Sequence, residues 1–193
     1  MHWFDKLFHR SDGPYRWANA RLVRYADDFV ILAKSVGGRI KTFVEQTLEA
    51  RFDLTVNREK TRTVKLREPG ESLDFLGYTF RYDKDRHGGN WRYLNFCPSS
   101  KSLQRERDEL RERTGPEQCF KPIPVLIAQI NTHLKGWGNY FGKGYPRDAF
   151  RQINRYVQER LERHLLRRSQ RPYRIAGGLS WYAQLQRLGL KPL

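Results

Sequence analysis

The chain has 193 residues, enough for one medium domain or two small ones, and its 13% aromatic content with regular apolar patterning excludes wholesale disorder. Its 37 Lys+Arg against 21 Asp+Glu give a net charge of +16, which points to a polyanionic partner, nucleic acid being the usual one. Two cysteines without CxxC spacing argue against a disulfide framework or a zinc module, and no apolar run approaches a membrane span.

The first ten residues, MHWFDKLFHR, predict a short amphipathic helix with Trp3, Phe4, Leu7 and Phe8 on one face; they lack the apolar centre of a signal peptide, so a cytoplasmic location is expected. After a turn at Ser11–Pro14, RLVRYADDFVILAKS (21–35) reads as a β-hairpin whose tip carries the adjacent carboxylates Asp27 and Asp28. Neighbouring carboxylates repel unless a cation offsets them, and hard divalent ions take oxygen ligands. The alternative is a solvated Asp-Asp turn. A helix is expected from Gly38 to Arg51, with Ile40, Phe43, Val44, Thr47 and Leu48 at helical spacing, then a loop and strand over 54–66. SLDFLGYTFRY (72–82) reads as strand, followed by a hairpin over Lys84–Asn90 turning at Gly88-Gly89, and by WRYLNF (91–96).

Composition shifts at Pro98-Ser99-Ser100. A Ser-capped helix runs to about Thr114, and Gly115-Pro116 ends it. Pro124 opens a second helix, VLIAQINTHLKGWGNYF. Pro146 opens a third, with Phe150, Ile153, Val157, Leu161 and Leu165 as its apolar stripe and Arg147, Arg151 and Arg155 as a separate i+4 row. Residues 1–100 hold 18 basic and 13 acidic side chains and residues 101–193 hold 19 and 8, so the second half is the stronger electrostatic grip.

RYADDFVILAKS resembles the metal-binding motif of reverse transcriptases, most closely the group II intron class, and further motifs follow in that family's order. LTVNREKT resembles the next motif, in which Lys60 stands at the position of a lysine near the leaving pyrophosphate. FLGYTF resembles the hairpin that supports the primer end, which assigns Phe75, Leu76, Gly77 and Tyr78. The downstream helices resemble the thumb, and NTHLKGWGNYFGKG with the Arg-rich helix resembles the maturase-specific domain.

The resemblance implies an α+β fold: a partial reverse-transcriptase palm of antiparallel hairpins plus a helix (1–97), followed by an all-α thumb and maturase module (98–193). It implies Asp27, Asp28 and Lys60 as catalytic residues, with the two aspartates holding Mg²⁺ of a two-metal site. It implies intron RNA and an RNA/DNA hybrid as partners, with Lys135, Trp137, Asn139, Tyr140, Lys143, Arg147, Arg151 and Arg155 on the RNA. Bland readings stand beside these: Lys60 as an exposed turn lysine, Gly77 as a close-approach glycine, Trp137 and Tyr140 as core anchors, the arginine row as a solvated face. The family's further upstream aspartate and its Gly/Pro-bearing template segment have no counterpart here. The isolated chain is therefore expected not to polymerise DNA and to need a complementing upstream fragment or self-association. A non-enzymatic splicing cofactor and a decayed remnant are the alternatives. No endonuclease-like tail follows GLSWYAQLQRLGLKPL, so target-site nicking is not expected.

Overall fold

The computed structural model describes residues 2–35, 37–85, 89, 91–171 and 173–193. The chain divides into two compact units, residues 1–64 and 65–193.

In the first unit, α1 (His2–Phe8) and the single turn α2 (Pro14–Trp17) precede a two-stranded antiparallel sheet of β1 (Arg21–Tyr25) and β2 (Asp28–Leu32), then α3 (Gly38–Glu45), which widens into a π-helical stretch over Gln46–Arg51. Strand alternation sends Leu22, Phe29 and Ile31 inward, where they pack with Phe4, Phe8, Ile40 and Leu48. Burying each such side chain contributes about 1.5–3 kcal/mol. The helix expected at the start is present, but Trp3 is 65% exposed, with Lys6 over its ring, while Phe4 and Phe8 are fully buried. Residues four apart share a helix face and residue 3 lies off it. The strand expected within 54–66 is absent. The Asn57 side chain takes the Lys60 N–H (3.1 Å) and its carbonyl takes the Thr61 N–H (3.0 Å), so a local turn captures the backbone.

The second unit begins with an antiparallel meander of β3 (Ser72–Phe75), β4 (Tyr78–Lys84) and β5 (Arg92–Pro98). The single strand expected over 72–82 is thus two strands. Phe75 pairs with Tyr78, and Leu76 (φ +50) and Gly77 (φ +79) both sit in the left-handed region, as a type I′ hairpin turn requires. Lys84 pairs with Arg92, and of the expected Gly88-Gly89 turn Gly88 lies outside the described residues.

Helices α4 (Ser100–Arg113), α5 (Ile123–Phe141), α6 (Arg147–Arg167) and α7 (Trp181–Arg187) follow. Ser99 caps α4, its Oγ accepting the Ser102 N–H at 3.2 Å. Leu110, Leu126, Ile127, Ile130, Leu134, Ile153, Val157, Leu161 and Leu165 form the core, at the i+3 and i+4 spacings visible in the sequence.

The composition shift predicts a boundary at 97/98, and the two compact units divide at 64/65. The meander is bonded to the helices. Gly77 O accepts the Ser99 N–H and the Ser102 hydroxyl, both at 2.8 Å, and Gly144 packs against β5. None of the described helices is long and apolar enough to cross a membrane.

Candidate nucleic-acid interface

The turn of the first hairpin is two residues long, since Tyr25 pairs with Asp28. Ala26 takes φ +51, a conformation a Cβ disfavours, and the turn presents Asp27 and Asp28 exposed to solvent. Arg24 holds it. Its Nη1 donates to Ala26 O (2.8 Å), while Nε and Nη2 bind the Asp5 carboxylate of α1 at 2.7–3.1 Å. The Arg24 hydrogen bonds keep the Asp5 carboxyl below the usual carboxylate range, and Asp27 adds its own pull on Arg24. Asp5 is therefore engaged with a guanidinium. Among the described residues no three acids, cysteines or histidines converge on a candidate metal site. Lys60 lies on the exposed Asn57 turn, and no ion pair among the described residues joins it to either aspartate.

In the second unit the structure joins two groups of expected residues. Tyr140 Oη donates to Leu76 O at 2.9 Å and Tyr78 Oη donates to Tyr140 O, so the Phe75–Tyr78 turn is fastened to the end of α5. Burial raises the Tyr78 hydroxyl above its usual pKa. Ser102, which the sequence did not single out, anchors Gly77; a Cβ on Gly77 would lie 3.0 Å from its Oγ. Trp137 is half-buried, its ring 4.8 Å from Phe141 and 5.6 Å from Phe150, so it packs the α5–α6 junction. Lys135, Asn139 and Lys143 are exposed.

Arg147, Arg151 and Arg155 lie exposed along α6 and line a shallow surface groove of about 470 Å³ with Phe150, Asn154, Gln158 and Leu193. Asn154 fixes the opposite wall, its Oδ1 taking the Leu193 N–H at 2.9 Å. Arg151 faces Asp148 at 3.7 Å and Arg155 faces Glu159 at 3.0 Å, with the two arginine side chains 75% and 83% exposed. Exposed pairs of this kind contribute about 0–1 kcal/mol, so a phosphate can displace either carboxylate. Three guanidinium groups on one wall of a groove have the charge and the planar donor geometry that anion recognition requires.

On the other flank of α6, Arg160, His164 and Arg167 cap the C-terminus of α4. Arg160 Nη2 bonds Arg111 O (3.2 Å), Arg167 Nη2 bonds Thr114 O (2.9 Å), and His164 Nδ1 donates to Thr114 O (3.3 Å). These three donors, two guanidinium groups and one imidazole, satisfy the last carbonyls of α4, a task that their spacing in the sequence did not disclose.

Fold and site together define an α+β protein with a basic helical module. Residues 103–180, from α4 to the cap of α7, match the family model of the group II intron maturase-specific domain. That family implies intron RNA as the partner. No curated protein matches the chain.

Proposed function

We propose that the chain is the C-terminal part of a group II intron-encoded reverse transcriptase and maturase, binding intron RNA through residues 98–193. The observation that carries this is the three-arginine groove on α6, which lies inside the segment matching the maturase-specific domain. The phosphate backbone supplies most of the affinity of such contacts. Lys135 and Lys143 extend the basic surface, with the Asn139 amide as a neutral hydrogen-bonding group beside them, and the Phe75–Tyr78 turn, tied to Tyr140, is the element that would meet an RNA/DNA hybrid.

Residues 1–64 supply the palm hairpin in this reading. Asp27 and Asp28 would hold Mg²⁺ only with a further carboxylate from a complementing chain or fragment, and Lys60 would face the leaving group. The non-enzymatic splicing cofactor is the second reading, favoured by Asp5, whose charge is already neutralised by Arg24. A paired measurement separates the two. Asp27→Asn with Asp28→Asn is expected to leave affinity for a group II intron RNA within about twofold under both. Primer extension by the chain supplemented with an upstream palm fragment is expected only under the first, and only with both aspartates intact. Loss of RNA affinity in the double variant contradicts both.

A further inference from the structure

The connection between α5 and α6 carries an exposed ring that neither the groove nor the core uses. Tyr145 is 64% exposed, yet its N–H donates to Phe96 O of β5 at 3.3 Å. Gly144, at φ +74, brings the backbone so close that a Cβ would overlap that same oxygen, so the segment is seated on the strand edge. The Tyr145 ring meets Tyr93 edge-on, centroids 5.3 Å apart at 75°, and Tyr93 meets Trp91 at 5.8 Å. Trp91 is 60% exposed, and residues two apart along extended chain share a face. The three rings form a row open at both ends.

The charges around this row have one predominant sign. Lys143 and Arg147 flank Tyr145 in the chain, and Arg151 and Arg155 continue from Arg147 along α6, while Arg92 falls on the other face of β5, where its Nη1 donates to Arg67 O at 3.2 Å. The acids near β5 have partners: Asp83 takes Arg81 at 2.8 Å and Asn95 at 2.6 Å, Asp85 takes the Gly89 N–H at 3.2 Å, and Asp148 pairs with Arg151. An aromatic row leading into a row of cations suits a ligand that is apolar on its faces and anionic along its spine.

We propose that Trp91, Tyr93 and Tyr145 form a stacking platform for unpaired RNA bases, with Arg147, Arg151 and Arg155 holding phosphates of the same strand. This rests on the RNA-binding reading and narrows it to single-stranded RNA. Every base has a π-face, so stacking is tolerant of sequence, whereas bases inside a duplex have none to offer. Successive arginines four residues apart on a helix stand about 6 Å apart along its axis, comparable to the step between phosphates along one strand.

The test uses the full chain, with a short fluorescein-labelled oligoadenylate and a fully paired RNA duplex as probes, and far-ultraviolet circular dichroism to check folding. Trp91→Ala and Tyr145→Ala are each expected to weaken oligoadenylate binding about tenfold and duplex binding less than twofold. Tyr145→Phe, which keeps the ring, is expected to bind like the parent. Unchanged oligoadenylate binding in both alanine variants, or equal losses on the two probes, overturns the platform, as does Tyr145→Phe losing as much as Tyr145→Ala. If Arg147→Gln, Arg151→Gln and Arg155→Gln together still weaken both probes, the RNA reading survives that failure; if they weaken neither, the RNA reading itself falls.

Discussion

His164 is fully buried beside Arg160, Arg167 and Arg168, and its one bond is to Thr114 O. Burial, with those three cations, lowers its pKa from the ordinary 6.5, so the folded chain keeps it neutral. The unfolded chain takes up a proton below about pH 6.5 that the folded chain refuses. Stability is therefore complete above that pH and falls as pH drops toward the folded pKa. The urea midpoint of the helical unit is expected to fall between pH 7.5 and 5.5, and His164→Gln to flatten that fall; a parent midpoint independent of pH contradicts the argument. At this scale the sequence showed which acids stand together, Asp27 and Asp28, because neighbours in the chain are neighbours in a turn. It did not show that Arg24 ties Asp5 to that turn, since the pair lies 19 residues apart and only the packing of α1 on the hairpin brings it together.

Among the elements, the helices were the most legible. Ser99, Pro116, Pro124 and Pro146 punctuate α4, α5 and α6, and the apolar periodicity of α6 picked out Ile153, Val157, Leu161 and Leu165, all buried. The strands were harder. Leu76 occupies a turn position at φ +50 where Asn or Asp is usual, so FLGY read as continuous strand. What holds this turn is tertiary: Ser99, Ser102 and Tyr140 bond its carbonyls. The two glycines that join sheet to helices should differ in tolerance. Gly77→Ala incurs a left-handed backbone cost of about 1–2 kcal/mol. Gly144→Ala adds overlap with the Phe96 carbonyl, a further cost of about 1–3 kcal/mol. Urea denaturation is expected to rank Gly144→Ala as the more damaging, and equal midpoints contradict the docking of the 142–146 segment on β5.

For the whole molecule, charge and fold divide at different places. Most of the positive excess, +11 of +16, lies beyond residue 100, while the second compact unit begins at residue 65 and carries the β3–β5 meander with the basic helices. Composition could locate the electrostatic grip but not the sheet that shares its unit, because hydrogen bonds rather than charge join them. The central claim is that the α6 arginine row engages RNA phosphates. The most direct measurement is the salt dependence of binding to a group II intron RNA, for the parent and for Arg147→Gln, Arg151→Gln and Arg155→Gln combined. Each lost phosphate contact removes about 0.7–0.9 from the slope of log K against log salt, so the triple variant is expected to bind more weakly with a slope shallower by about 2–3. An unchanged slope would contradict the account, because the groove would then take no part in holding the RNA.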